Sequence, residues 1–202
     1  MCAQNCPRLG CVILAAGNAR RFGSNKLLAP LGGKPLLGWA LEAVPAEAFQ
    51  QVVVVTQYTE AANIVKEFSF SYIPNDQPEK GLSHSIALGL EALPPCDGVL
   101  FQVADQPLLR RESVAALVRL WRQRPDLPAA LGHGGVRGNP CIFPRALFPD
   151  LLSLTGDRGG SAVLRRWGGP VPQLEVEEQE LWDVDNREAL EKIRARLESP
   201  HS

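Results

Sequence analysis

Small residues and two cations follow the first apolar run of the chain, residues 11–15, in an arrangement that suits an anionic ligand. Exposed amides next to small side chains form a concavity that binds anions. Arg21 offers a fork of donors to phosphate oxygens and Lys26 offers a point charge, although either one alone is equally typical of a solvated basic loop. The spacing matches neither the phosphate loop Gly-x-x-x-x-Gly-Lys-Ser/Thr nor the dinucleotide motif Gly-x-Gly-x-x-Gly. The residues selected as anion-binding are Leu14, Ala15, Ala16, Gly17, Arg21 and Lys26.

A second group of hydrogen-bonding residues begins at Gly81, which is followed by Ser83 and Ser85. Free amides and hydroxyls at the start of a helix can bind a ligand. Ser83 alone is equally typical of a helix N-cap. His84 lies between the serines; it is either a general base or, as we expect, an exposed residue at the edge of the site.

Candidate metal-binding carboxylates occur in two parts of the chain that are far apart, at Asp105 and at Asp183 and Asp185. Asp105 comes after the apolar run Gly98–Val103, which places it at the carboxyl end of a predicted strand. In an extended segment, Asp183 and Asp185 point to one side while Val184 points to the other. Mg²⁺ is held by a few carboxylates together with phosphate oxygens and water, so these residues suit a magnesium site. Considered alone, Asp105 is equally typical of a turn and Asp185 of a helix cap.

The elements that must position these residues alternate between strands and helices through the first two thirds of the chain. This alternation predicts right-handed βαβ units and a mostly parallel sheet, in which ligands bind outside the carboxyl ends of the strands. Glycines at 132–138 predict a hairpin, and the looser alternation near the end leaves room for an antiparallel strand. Strands are predicted at residues 11–15, 52–55, 70–73, 98–103, 141–143 and 171–176, and helices from Pro35, at 63–68, from Ser83, at 114–121, near Leu147, near Val163 and from Arg187.

Length and composition limit the classes of function. The chain has 202 residues and a formal net charge of -1, so we expect one domain spanning residues 1–202, with no nucleic acid or membrane as partner. The five cysteines are an odd number, which argues against a disulfide framework. No apolar stretch approaches the length of a membrane span, and residues 1–10 do not resemble a secretory signal. We therefore expect a cytoplasmic protein.

The first loop resembles a known signature, Leu-Ala-Ala-Gly-x-Ser-x-Arg-Met-Gly followed by Lys. This signature is found in nucleotidyltransferases that act on sugar phosphates, isoprenoids and molybdopterin. The similarity extends from about residue 11 to about residue 190, and it is greatest to the molybdenum cofactor cytidylyltransferases. It implies an α/β, Rossmann-like nucleotidyltransferase fold, with a mostly parallel central sheet of about seven strands, one of them antiparallel, and helices on both faces. Ala19 and Phe22 depart from the signature, where the family has Ser and Met.

The resemblance also implies roles for the residues selected above. Leu14 to Gly17 would wrap the nucleotide, while Arg21 and Lys26 would bind the triphosphate and act in catalysis. The run from Gly81 through Ser83 and Ser85 is similar to the segment that recognises cytosine. Ala16 stands where a guanine-using relative is expected to have Gly, which favours CTP over GTP. By the family pattern Asp105 and Asp185 are the two carboxylates that bind Mg²⁺ or Mn²⁺.

Two glycine-rich segments are similar to family segments near the acceptor. Arg137, Asn139 and Pro140 belong to one of them, and Asp157 belongs to the other. Without the resemblance, the first segment is only a hairpin turn. The family often has Arg where Ser161 stands. The neighbouring cations Arg158, Arg165 and Arg166 could serve a phosphorylated acceptor, although we expect Arg165 and Arg166 on a solvated helix face.

The function implied by the resemblance is transfer of CMP from CTP to the phosphate of molybdopterin, with release of pyrophosphate. The partners would be CTP, the phosphorylated pterin, and a molybdenum hydroxylase or its chaperone. One alternative is a guanylyltransferase that uses GTP with the same pterin, and another is a nucleotidyltransferase for sugar or polyol phosphates. A third alternative, of another class, is a non-catalytic protein that binds the nucleotide or cofactor and delivers the cofactor to a molybdenum hydroxylase.

Overall fold

The computed structural model describes residues 6–16 and 25–198, so the selected residues Gly17 and Arg21 lie outside the described residues. The strands are β1 (Leu9–Leu14), β2 (Pro30–Leu31), β3 (Lys34–Pro35), β4 (Val52–Thr56), β5 (Ser71–Pro74), β6 (Gly98–Val103), β7 (Ala129–His133), β8 (Val136–Pro144) and β9 (Gln173–Glu175). The helices are α1 (Leu36–Glu42), α2 (Ala61–Glu67), α3 (Leu82–Glu91), α4 (Arg111–Gln123), α5 (Phe148–Leu152), α6 (Gly160–Trp167) and α7 (Arg187–Glu198). No helix within these residues is long and apolar enough to cross a membrane.

Seven strands form one sheet in the order β5-β4-β1-β6-β8-β7-β9. β1 lies between β4 and β6 and is parallel to both. β8 runs antiparallel to its neighbours β6 and β7, whereas β9 pairs with β7 in parallel. The predicted fold, a mostly parallel sheet of about seven strands with one antiparallel strand, is confirmed.

The side chains of β1 show why helices cover both faces of this sheet. Cys11 and Ile13 pack into an apolar cluster that includes Leu117 of α4. Val12, which points the opposite way, packs into a second cluster that includes Ile86 of α3. Since successive residues of a strand face opposite sides, a strand that is apolar throughout must be buried on both faces.

Two local predictions differ from the structure. The helix predicted from Ser83 begins one residue earlier, with Gly81 at the N-cap position, so the structure does not bear out the alternative of Ser83 as an N-cap. Ser83 is buried in that first turn, where its N–H donates to the carbonyl of Gly156 at 3.0 Å, and the start of α3 has no side-chain cap hydrogen bond. Between the strand predicted at 11–15 and the helix predicted from Pro35 no element is predicted, but this stretch contains a 3-10 turn at Lys26–Leu28 and the strand β2.

The carboxyl ends of the central strands meet at one edge of the sheet. The N–H of Ala15, just after β1, donates to the carbonyl of Val55 in β4 at 2.9 Å. The N–H of Ala104, just after β6, donates to the carbonyl of Leu14 at 3.2 Å. These bonds hold the start of the first loop beside Asp105, which follows Ala104 directly.

Candidate functional site

A cavity of about 560 Å³ opens at this edge of the sheet. Residues from the ends of β1 and β6, from the turn at Lys26 and from the start of α3 line it. Eight of the selected residues line it: Leu14, Ala15, Ala16, Lys26, Gly81, Ser85, Asp105 and Asp157. Ser83 does not line it. The structure thus brings together residues that are up to 143 positions apart, from Leu14 to Asp157.

Lys26 and Asp105 form an ion pair in this first cavity. The Nζ of Lys26 donates to Oδ2 of Asp105 at 2.7 Å and to the carbonyl of Val184 at 2.9 Å. The two side chains are only 13% and 22% exposed. Asn25 begins the short turn that carries Lys26, because its side chain accepts from the N–H of Leu27 at 3.1 Å. The turn thereby fixes the lysine next to the carboxylate.

The segment that carries Asp183 and Asp185 is hydrogen-bonded to Asp105. The N–H of Val184 donates to the carbonyl of Asp105 at 2.9 Å. Val184 is fully buried, while Asp183 and Asp185 are exposed, as predicted for an extended segment. Desolvation, and then the negative charge of Asp105, raise the pKa of Asp183 to about 6. The charge of Asp185 adds to this increase, and Lys26 opposes it.

The donor chemistry of this cluster fits a divalent cation that shares its ligands with a substrate. Repulsion among the carboxylates is relieved when a cation binds between them. Within residues 6–16 and 25–198, no group of three or more His, Cys, Asp or Glu is arranged to hold a metal ion by itself. Mg²⁺ suits such a site because it uses one or two carboxylates and takes its other ligands from phosphates and water.

Gly81 forms the wall of the first cavity opposite the strands. Its φ of +81° and ψ of -171° are accessible almost only to glycine. A Cβ at this position would lie 2.5 Å from the carbonyl carbon of Gly156 and 2.6 Å from Oδ1 of Asp157. Asp157 was predicted near the acceptor, but the structure places it here, because the turn at Gly156 packs against Gly81. Nearby, the buried Ser85 accepts a hydrogen bond from Nδ2 of Asn75 at 3.0 Å.

A second cavity, of about 410 Å³, adjoins the first. The two share Leu14, Leu82 and Val103 as lining residues. Of the residues predicted near the acceptor, Arg137 and Asn139 line this second cavity. Pro140 is buried in β8 and does not line it. Apolar and aromatic lining residues are Ile86, Phe101, Cys141, Phe143 and Leu164.

Arg165 also lines the second cavity, and it is exposed, so it lies on a solvated helix face as expected and at the same time within reach of an acceptor. It lies one turn after Ser161 on α6, and both residues face the cavity. The spacing of four positions between Ser161 and Arg165 is the feature of the sequence that places both residues on the same face of the helix. Among the described residues, neither Arg165 nor Arg137 has a hydrogen-bond or ion-pair partner, whereas Arg166 lies 3.9 Å from Asp150. The expectation for Arg166 therefore stands.

Comparison with known proteins places the chain in a family. Residues 11–173 match the family described as the MobA-like NTP transferase domain. The purine catabolism protein PucB of Bacillus subtilis is 31% identical over 205 residues, covering 95% of this chain and 98% of that protein.

Solved structures share the fold. A nucleotidyl transferase from Methanothermobacter has a TM-score of 0.80 at 23% identity, covering 96% of this chain and 99% of that chain. Rv0371c from Mycobacterium tuberculosis, solved as a complex with manganese, has a TM-score of 0.73 at 22% identity, covering 93% of this chain and 98% of that chain. The chain therefore belongs to the MobA-like NTP transferase family and is a nucleotidyltransferase, as the first loop predicted.

Proposed function

We propose that the protein transfers CMP from CTP to the phosphate of molybdopterin and releases pyrophosphate. The observation that carries this proposal is the pair of adjoining cavities. Both are lined by Val103, and the first is also lined by Lys26 and by Asp105, which follows Val103 by two residues. A nucleotide in the first cavity and an acceptor in the second would meet next to these charged groups.

CTP is the nucleotide that the first cavity favours. Gly81 and Ser85 line the cavity at the start of α3, where the hydroxyl of Ser85 can contact a base. The N–H of Gly81 donates to the carbonyl of Pro78 at 3.1 Å, so that amide is already bonded within the protein. Ala16 also lines the cavity and adds a methyl group where a guanine-using relative is expected to have Gly. The larger purine would need this space, so the pocket favours a pyrimidine.

Asp105 and Asp185 would hold Mg²⁺ or Mn²⁺ together with the triphosphate. When bound, the cation supplies Lewis-acid polarisation of the phosphates and neutralises their charge. The carboxylate cluster around Asp105 supports this proposal, and so does the manganese complex of Rv0371c, whose fold the chain shares. Lys26, which lines the cavity beside Asp105, would help to neutralise the triphosphate.

The reaction needs alignment and charge neutralisation more than proton transfer. An oxygen of the acceptor phosphate attacks the α-phosphorus of CTP, a new P–O bond forms, and the bond to the β-phosphate breaks in line, so that pyrophosphate leaves. A phosphate oxygen is ionised near neutral pH and requires no strong general base. Lys26 and Arg21 would stabilise the charge that develops on the departing pyrophosphate.

The second cavity would hold the acceptor. Arg137 and Arg165 lack carboxylate partners among the described residues and can pair with an anionic group. Phe101 and Phe143 contact each other edge to face, with ring centroids 5.9 Å apart, and offer an apolar surface to a ring system. Molybdopterin combines a phosphate with a fused ring, and it suits this lining. The product would pass to a molybdenum hydroxylase or its chaperone in the cytoplasm, where nucleoside triphosphates are supplied.

The test is to incubate the purified protein with Mg²⁺, molybdopterin and each nucleoside triphosphate in turn, and to measure pyrophosphate release. CTP should give the highest kcat/KM, and Asp105→Ala should abolish turnover. A higher kcat/KM with GTP, or with a sugar or polyol phosphate as acceptor, would replace this substrate assignment. Tight CTP binding without pyrophosphate release from any acceptor would instead indicate a carrier of the cofactor.

A further inference from the structure

The segment that carries Asp185 is held against the segment that carries Asp105 by contacts outside the first cavity. Gln106, directly after Asp105, is buried and donates from Nε2 to the carbonyl of Leu181 at 3.2 Å. Five residues after Asp105, the side chain of Arg110 meets that of Glu180, which lies five residues before Asp185. The two segments therefore lie side by side, with a carboxylate proposed to bind the metal at one end and an ion pair at the other.

The ion pair between Arg110 and Glu180 has an unusual number of bonds for a surface arginine. Arg110 donates to the Glu180 carboxylate from its backbone N at 3.1 Å, from Nε at 3.0 Å and from Nη2 at 2.6 Å. Glu180 is only 2% exposed, whereas the arginine side chain is 51% exposed. A buried carboxylate is costly unless it is paired and hydrogen-bonded, so the position of this turn depends on Arg110.

Neither residue lines the first or the second cavity, so neither can contact a nucleotide or an acceptor held there. Arg110 stands immediately before α4, and Glu180 lies in the 3-10 turn Glu178–Leu181. That turn leads into the extended residues 182–185 and then into α7. A displacement of the turn would therefore be passed along four residues to Asp185.

We propose that Arg110 and Glu180 are positioning residues that set the distance between the carboxylates of Asp105 and Asp185, and so control the affinity for a divalent cation bound with the nucleotide. This inference rests on the proposed role of the two aspartates as metal ligands. The ligands come from segments about 80 positions apart, and no covalent constraint fixes their separation. The bonds to Glu180, together with the bond from Val184 to Asp105, supply that constraint.

The chain offers a matched control in the neighbouring residue Arg111. Its side chain is 46% exposed and also pairs with a carboxylate, donating from Nη2 to Glu47 at 2.5 Å and from Nη1 to the carbonyl of Val44 at 2.6 Å. Arg111 is the first residue of α4, and its side chain is hydrogen-bonded to Val44 and Glu47 instead of to the described residues 178–185. Arg110→Ala and Arg111→Ala thus remove similar groups from adjacent positions.

The experiment measures Mn²⁺ binding in the presence of CTP by electron paramagnetic resonance, and amide hydrogen exchange of Val184 in the metal-free protein. We expect Arg110→Ala to weaken Mn²⁺ binding roughly 10- to 100-fold and to accelerate exchange at Val184. Arg111→Ala should change neither. Arg110→Lys, which keeps the charge but not the fork of donors, serves if the alanine variant does not fold, and it should shift both readouts in the same direction.

Two results would overturn the proposal in distinguishable ways. If the wild-type protein binds Mn²⁺ with CTP and a folded Arg110 variant binds it equally well, the positioning role is wrong and the proposed function is untouched. An equal loss of Mn²⁺ affinity in the Arg110 and Arg111 variants would also overturn the positioning role, because the ion pair between Arg110 and Glu180 would then contribute only to general stability. If the wild-type protein shows no CTP-dependent Mn²⁺ binding, the metal-ligand assignment fails, and the positioning role fails with it.

Discussion

Replacing Lys26 by methionine removes a cation from the centre of the proposed reaction while keeping most of the side chain's volume. Among the described residues that line the first cavity, Lys26 is the only cation. Its ammonium group also adds a link between the two acidic segments, since it donates to both Asp105 and the carbonyl of Val184. The triphosphate of CTP would therefore lose its closest described positive charge.

The expected magnitude follows from this geometry. Removing one preorganised donor from a developing anionic charge typically lowers turnover by about 100- to 1000-fold. Lys26 is only 13% exposed, so water cannot easily replace it, and we expect kcat/KM for CTP to fall within this range. The variant should still fold. Asp105 keeps partial access to water, and the loss of the hydrogen bonds to Asp105 and Val184 should lower the free energy of unfolding by about 1.5–3 kcal/mol.

Pyrophosphate release at varied CTP concentrations measures this effect, with urea unfolding of the same samples as a check on the fold. Lys34→Met is the control, because Lys34 pairs with Glu42 and lies over the ring of Trp39, away from both cavities. It should retain the kcat/KM of the wild type. A Lys26→Met variant within threefold of the wild type, or an equal loss in both variants, would refute the reasoning.

Three further predictions concern the acceptor, the cavity wall and the pH dependence of stability. Arg165→Ala should raise KM for molybdopterin roughly tenfold with little change in KM for CTP, while Arg166→Ala should leave both constants unchanged, as steady-state kinetics would show. Gly81→Ala should lower the free energy of unfolding by about 1–3 kcal/mol and weaken CTP binding, measured by urea unfolding and calorimetry, because the added Cβ meets backbone atoms. The backbone N–H and guanidinium of Arg8 hold the pKa of Asp97 below its ordinary value. This carboxylate therefore contributes stability at neutral pH, and the contribution is lost as the pH falls through the folded-state pKa. Asp97→Asn should be destabilising at pH 7, by an amount that decreases in acid.

Each of these predictions has its own contradicting result. An equal KM for molybdopterin in the Arg165 and Arg166 variants would remove Arg165 from the acceptor site. Gly134 also has a positive φ but nothing within 4 Å of an added Cβ, so Gly134→Ala should cost less than Gly81→Ala, and the reverse order would contradict the steric argument. For Asp97, a difference in unfolding free energy that stays constant from pH 7 to pH 2 would show that the charge is not involved.

The sequence predicts the central strands well because β1, β4 and β6 are apolar over almost their whole length. The run Gly98–Val103 is a strand with the predicted bounds, buried from its start through Gln102. The placement of Asp105 follows from this strand, since the carboxyl ends of parallel strands meet at one edge. The alternation of Asp183, Val184 and Asp185 likewise predicted one buried and two exposed side chains, and the structure has them so.

Contacts between distant segments could not be predicted from local patterns. Asp157 packs against Gly81 because of a turn 75 positions away, and nothing in either segment encodes this pairing. Glu180 has the sequence context of an exposed acidic turn, yet Arg110 makes its burial possible. In the first loop, Gly17 and Arg21 lie outside the described residues, so their roles remain predictions.

A crystal structure of the protein with CTP and Mg²⁺ tests the central claim most directly. We expect one oxygen from each of Asp105 and Asp185 at roughly 2.0–2.1 Å from the same Mg²⁺ ion. The Nζ of Lys26 should lie on a phosphate oxygen, and the cytosine should lie against Gly81. The account would be contradicted by a bound CTP whose metal ion contacts neither aspartate, or by a triphosphate that lies outside the first cavity.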